Sequence, residues 1–217
     1  MRIQAIIFDM DGVLSDTELL HGEVQEKMLL QYGISLPAKE CSRRFAGVPE
    51  PQIWPVVFAE AGIPCPDIGL LMDEKIRRMM ERLSSHVPAV HGSVELIGRM
   101  HALGLPCAVA SSAPRTLVET TLTGLGVLSM MSAIVVTADV EHGKPAPDIF
   151  LHAAKLLGIA PKHCLVIEDA RAGVEAAKAA GMTCIGLKSP GSEQDLSMAD
   201  TVITSLNEIT EEMLRTI

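Results

Sequence analysis

Six side chains from four sequence-distant places could do chemistry in this chain: Asp9 and Asp11, Ser111, Lys144, and Glu168 with Asp169. Each place lies at or shortly after the end of an apolar run. Two carboxylates one residue apart repel, so one tends to keep its proton unless a cation or hydrogen-bond donors compensate. A hard divalent ion such as Mg2+ suits an all-oxygen site of that kind. If the apolar runs are strands of one parallel sheet, their ends share one edge. Carboxylates, a hydroxyl and one ammonium then converge on a single crevice, which is what holding Mg2+ and a phosphoryl group requires. Phosphoryl transfer asks a protein mainly for alignment and for neutralisation of the equatorial oxygens. Each residue alone has a plainer reading. Asp at a strand end can be a turn former or a cap, Ser111–Ser112 can cap a helix, Lys144 can be a solvated loop lysine, and Glu168–Asp169 can complement a helix dipole.

The elements that must position these groups follow from hydrophobic pattern. Ala5-Ile6-Ile7-Phe8 is unbroken by polar residues, as in a strand buried on both faces. It stops at Asp9 and Asp11, where Gly12 lets the chain turn sharply. In open α/β sheets ligands bind beyond the carboxyl ends of strands. Residues 17–86 contain no comparable run and read as helices. Leu20, Val24, Met28 and Tyr32 recur at helical spacing with Gly33 as a stop, and Pro37 can start a second helix. Pro51 and Pro55 flank Ile53-Trp54, which predicts a helix into Val57-Phe58-Ala59 that starts late or bends. Asp67 precedes an amphipathic stretch of Leu70, Leu71, Lys75, Ile76, Met79, Met80 and Leu83.

From about Val90, strand and helix patterns alternate with short connections. Apolar runs over 106–110, 133–137, 164–167, 183–187 and 201–203 are separated by helical segments over 94–100, 115–122, 149–157 and 172–180, with a helix closing the chain. The pattern predicts an α/β fold with a doubly wound parallel sheet. Residues 1–16 and 87–217 form its core, and a small all-α cap over 17–86 is inserted after the first strand.

Composition narrows the function. Across 217 residues, 18 Lys and Arg face 27 Asp and Glu, for a net charge of −9. A nucleic-acid binder would normally show a basic face, so no nucleic-acid partner is expected. A local metal ion can still draw an anionic small substrate into an acidic protein. The five cysteines are scattered, with no C-x-x-C spacing, which fits free thiols in a reducing compartment. The run before Asp9 is too short for a signal peptide or a membrane span. A soluble cytoplasmic protein with no membrane partner, monomeric or weakly dimeric, is expected.

The segment Asp9-Met10-Asp11-Gly12-Val13-Leu14-Ser15-Asp16 resembles the first motif of the haloacid dehalogenase (HAD) superfamily, Asp-x-Asp-Gly-x-Leu-x-Asp. Ser111 is similar to the second motif, Lys144 in Gly-Lys-Pro-Ala-Pro-Asp to the third, and Glu168-Asp169 with Gly173 to the fourth. The resemblance covers essentially the whole chain. It implies an aspartyl nucleophile at Asp9 and a general acid/base at Asp11. It also implies phosphate contacts from Ser111, Ser112 and Lys144, and Mg2+ held by Asp9, Asp169, Glu168 and the Asp11 main-chain carbonyl. Asp at position 11 speaks against a dehalogenase, whose chemistry has no leaving alcohol to protonate. A phosphatase acting on a small phosphorylated metabolite, a sugar or polyol phosphate, is the implied activity.

The helical insert bears on the alternatives. Asp16-Thr17-Glu18-Leu19-Leu20-His21 resembles a linker shared by β-phosphoglucomutase and related sugar phosphatases, with its histidine near the active site. The mutase also uses an arginine just after a Gly-Val pair to hold a second phosphate. Here Ala46-Gly47-Val48 is followed by Pro49-Glu50, and an acidic group is electrostatically wrong for that task. Arg43, Arg44 and Lys75 could offer basic contacts, although solvated surface positions are the plainer expectation for them. Ala170 stands where serine is usual after Glu-Asp, and His91 where proline is usual before Gly92. A phosphosugar-binding protein without turnover is a further alternative, disfavoured because a binder has no need of a nucleophile.

Overall fold

The computed structural model describes residues 3–45 and 48–217. Ala46 and Gly47, on which part of the mutase comparison falls, lie outside the described residues. Strand β1 (Ala5–Phe8) is buried throughout. The two-residue period of a strand sends Ile6 and Phe8 into one apolar cluster and Ala5 and Ile7 into the other. The helical stretch follows as α1 (Glu18–Leu30), α2 (Ala38–Phe45), α3 (Glu50–Glu60) and α4 (Ile68–Leu83). The chain continues through α5 (Ser93–Ala102), β2 (Cys107–Ser111), α6 (Arg115–Gly124), β3 (Met131–Val136) and α7 (Asp148–Leu157). It ends with β4 (Cys164–Glu168), α8 (Arg171–Ala179), β5 (Thr183–Leu187), β6 (Thr201–Ile203) and α9 (Glu211–Thr216).

The chain divides into two compact units, one comprising residues up to Asp16 with Val87–Ile217, the other Thr17–His86. In the first, all strand pairs are parallel, in the order β3-β2-β1-β4-β5-β6. That is a doubly wound α/β sheet in which β1 is central and the order reverses on either side of it. Leu96, Ile97, Val118 and Leu122 from α5 and α6 cover one face, and Ile149, Phe150, Val174 and Ala177 from α7 and α8 cover the other. Covering both faces removes the need for polar alternation in the strands, which is why their sequences are so uniformly apolar.

The turn after β1 is pinned from several directions. Gly12 has φ +80°, and the amides of Leu14 and Ser15 both donate to the Met10 carbonyl, at 2.8 and 3.0 Å. The buried Ser93 hydroxyl, at the start of α5, donates to the Leu14 carbonyl at 2.9 Å.

The second unit contains four helices and, among its described residues, no strand. Asp67 caps α4 by accepting from the Leu70 amide at 3.0 Å. Two details differ from the sequence reading. Helix α3 begins at Glu50, earlier than its prolines suggest, and contains both. Pro51 sits in the first turn, where an amide has no intrahelical partner to lose. Pro55 forgoes one helical bond, and burial of Ile53, Trp54, Val57 and Phe58 offsets that loss. Tyr32 lies beyond the end of α1, where its half-exposed ring meets Phe58 edge-on with centroids 5.0 Å apart. No helix among the described residues is long and apolar enough to cross a membrane.

Replacing Ser93 by Ala removes one buried hydrogen bond, while the Val90 amide still serves the Leu14 carbonyl at 3.1 Å. The expected outcome in urea unfolding is a loss of about 1 kcal/mol with an unchanged denaturant slope.

Candidate active site

Because β1, β2 and β4 are neighbours and parallel, their carboxyl ends deliver Asp9, Ser111 and Glu168 to the same edge of the sheet. The amide of Asp9 still bonds the Ile167 carbonyl at 3.0 Å, so the ladder itself fixes where its carboxylate begins. Lys144 arrives from the loop before α7. Its ammonium donates to Asp9 Oδ1 at 2.5 Å, to Glu168 Oε1 at 2.7 Å and to the Ala110 carbonyl at 3.0 Å. It also stands 5.0 Å from the centroid of the fully buried Phe150 ring, a cation–π arrangement. The other Glu168 oxygen, Oε2, accepts from the amides of Asp169 and Ala170 at 2.9 and 3.0 Å.

Asp9, Glu168 and Asp169 each present a carboxylate oxygen, and all three oxygens lie within 4.8 Å of one another. Burial raises the Asp9 pKa to about 7, with Glu168 and Asp11 adding to the rise and Lys144 opposing it. Burial likewise pushes Asp169 well above the ordinary carboxylate range, helped by Glu168 and Asp9. Burial disfavours charge on Lys144, yet Asp9 and Glu168 overcome that and hold its pKa above the ordinary lysine value. One ammonium thus stands among two buried carboxylates and a half-buried third, and the excess negative charge calls for another cation. The all-oxygen donor set fits a hard divalent ion such as Mg2+.

Two glycines make the close packing possible. A Cβ on Gly12 would fall 1.9 Å from Asp169 Oδ2, and one on Gly173 would fall 1.6 Å from Glu168 Oε1. The helix carrying Gly173 therefore approaches Glu168 more closely than any side chain would allow.

The structure brings Asp9, Lys144, Glu168 and Asp169 together as the sequence reading expected. Asp11 follows on the same turn, close enough to act electrostatically on Asp9 and Asp169, although its carboxylate is outside the three-oxygen group. Ser111 is buried at the end of β2, and its Oγ accepts from the Ala113 amide at 3.0 Å. Ser112 is exposed. His21 is half-buried in the first turn of α1. Arg43 is exposed and makes a two-pronged contact with Glu40, at 3.0 and 2.7 Å. Lys75 corrects the expectation of a solvated surface lysine. It is buried, because Leu71, Lys75, Met79 and Leu83 recur every four residues on the inward face of α4. Its ammonium pairs with Glu50, whose other oxygen accepts from Gln25 at 2.9 Å. Sequence reasoning missed two contributors. The Ala110 carbonyl carries no side-chain signal at all, and Phe150 reads as an ordinary core position of α7.

Gly173→Ala should displace Glu168 and lower stability by about 1–3 kcal/mol, the usual cost of overpacking. Gly98→Ala in α5, where a Cβ meets nothing within 4 Å, should instead raise stability by about 0.4–1 kcal/mol. Thermal or urea unfolding of the two variants checks that the signs are opposite.

Comparisons with known proteins agree with this geometry. The Haloacid dehalogenase-like hydrolase family model matches residues 6–187. The chain is 31% identical, over 86% of its length and 97% of the other, to Fructose-1-phosphate phosphatase YqaB of Escherichia coli (strain K12). It is 30% identical to the Beta-phosphoglucomutase of Bacillus subtilis (strain 168), over 98% and 94% of the two chains. It is 35% identical over 91% of its length to Protein SUPPRESSOR OF QUENCHING 1, chloroplastic, of Arabidopsis thaliana, but spans only 19% of that protein. Among solved structures, a HAD family hydrolase from Deinococcus radiodurans R1 with bound phosphate and sodium superposes with TM-score 0.79 at 30% identity, covering 99% of this chain and 98% of that one. A sheet whose strand ends gather Asp9, Lys144, Glu168 and Asp169, together with a family match across most of the sequence, places this chain in the haloacid dehalogenase-like hydrolase family.

Proposed function

We propose that this chain is a Mg2+-dependent phosphatase that hydrolyses a small phosphate monoester, of the sugar or polyol phosphate class, through a phosphoryl group carried on Asp9. The observation that carries this reading is the Lys144 ammonium held between Asp9 and Glu168 beside Asp169, a nucleophile with its charge compensation already assembled. Relatives named as sugar phosphate phosphatases support the substrate class.

Asp9, Asp169 and Glu168, with the Asp11 main-chain carbonyl, would hold Mg2+. When bound, it neutralises charge between the nucleophile and the phosphate oxygens. The residues do the rest. An oxygen of Asp9 attacks phosphorus, the ester P–O bond breaks, and Asp11 gives its proton to the departing alkoxide. Asp11, now a carboxylate, takes a proton from water, whose oxygen attacks phosphorus and releases Asp9 and inorganic phosphate. Lys144 offsets the charge that builds between Asp9 and the phosphate, and the Ser111 hydroxyl donates to a phosphate oxygen.

A sugar phosphomutase differs only in the acceptor, a second sugar hydroxyl in place of water. The 30% identity to a Beta-phosphoglucomutase supports this second reading. The pairing of Glu50 with Lys75 and Gln25 argues against it, because α3 presents no cation for a second phosphate at that position.

Phosphate release across a panel of sugar, polyol and nucleotide monophosphates with Mg2+ tests the proposal. Wild type should turn over a few of them, and Asp9→Asn should lose at least about a thousandfold in kcat. Turnover unchanged in Asp9→Asn contradicts the mechanism. Glucose 6-phosphate formed from β-glucose 1-phosphate with a bisphosphate primer, in place of phosphate release, establishes the mutase. Separately, chelation by EDTA should abolish turnover and added Mg2+ should restore it; activity that persists in EDTA excludes the metal.

A further inference from the structure

The acidic pair Glu168–Asp169 stands at the junction of β4 with α8, and the start of that helix is capped in an unusual way. Its N-cap residue is Ala170, in extended conformation with φ −114° and ψ 145°, which makes no side-chain cap bond. Ser, Thr, Asp or Asn normally fills that position and accepts from an early helix amide. Here the acceptors come from elsewhere. Glu168 Oε2 takes the Asp169 and Ala170 amides. The next amide, that of Arg171, donates at 3.0 Å to Oε1 of Gln194, in the loop between β5 and β6.

That loop is seated beside the acidic pair. Gly186 is the register partner of Glu168 across the β4–β5 ladder. It has no side chain, so the Cβ atoms of Leu196 and Ala199 come within 3.1 and 3.3 Å of where its own Cβ would stand. Leu196 is buried there, two residues from Gln194, and the Gln194 amide reaches Ser192 Oγ at 3.3 Å. The loop is thus anchored over the strand next to Glu168 and sends one amide oxygen to the first turn of α8.

We propose that Gln194 is a positioning residue for the acidic pair. From a distant loop it accepts the first amide of α8, that of Arg171, and so holds the Asp169-Ala170-Arg171 turn, which carries the Asp169 carboxylate and donates two amides to Glu168 Oε2. The inference rests on the reading of Glu168 and Asp169 as Mg2+ ligands only for its consequence in metal binding, not for the capping itself.

Gln194→Leu keeps the bulk and removes the acceptor. Amide hydrogen exchange in the metal-free protein should show lost protection at Arg171 that spreads to Asp169 and Ala170, with β1 and α5 unchanged. Calorimetric titration with Mg2+ should show about fivefold weaker binding, as expected for loss of one helix cap. Gln194→Glu, which keeps an acceptor at the same reach, should retain both protection and Mg2+ affinity. Protection lost at Arg171 alone, or unchanged at all three amides, overturns the proposal. So does a Gln194→Glu variant that keeps protection at all three amides but loses Mg2+ affinity. If wild type binds no Mg2+, the metal reading fails by itself, and the exchange pattern still decides whether Gln194 holds the turn.

Discussion

The Lys144 ammonium, enclosed between Asp9 and Glu168, is the interaction on which the rest of the site depends. Removing charges from water is costly, and three carboxylates gathered within 4.8 Å would disperse or hold protons without a cation among them. One ammonium compensates part of that charge; burial, with the neighbouring carboxylates adding to it, raises Asp9 to about 7 and lifts Asp169 in the same direction. The fold's geometry serves this cluster. A central β1 brings Asp9 next to the ends of β2 and β4, and glycine at 12 and 173 leaves room for carboxylates where a Cβ would collide.

Much of this was legible in the sequence because the responsible signals are local. Ala5-Ile6-Ile7-Phe8 has the unbroken apolar character of a strand covered on both faces, and it is one. Asp9, Ser111 and Glu168 were placed at strand ends by the same pattern, and parallel connection puts such ends on one edge without further information. What stayed hidden depends on distance in three dimensions. The spacing of Gly173 says nothing of a Glu168 oxygen 1.6 Å from its missing Cβ. Lys75 has a residue type expected at the surface, yet its four-residue spacing with Leu71, Met79 and Leu83 turns it inward, and only the neighbouring helix supplies the Glu50 that makes burial tolerable. Pro55 does not delay the helix, because burial of Trp54 and Phe58 outweighs local chain preference.

The helical unit balances its own buried charge. Its Glu50, Lys75 and Gln25 satisfy one another, so the charge of Glu50 is spent within the unit. The members of a fold family share the sheet-edge chemistry and differ in such side chains.

The central claim is that Asp9 itself carries the phosphoryl group. The most direct measurement is rapid quenching of turnover with borohydride, which reduces an aspartyl phosphate to homoserine, followed by peptide mass spectrometry. The expected result is homoserine at position 9, dependent on substrate and absent when substrate is omitted. An enzyme that turns over while position 9 remains aspartate, or that gives homoserine at another aspartate, contradicts the account.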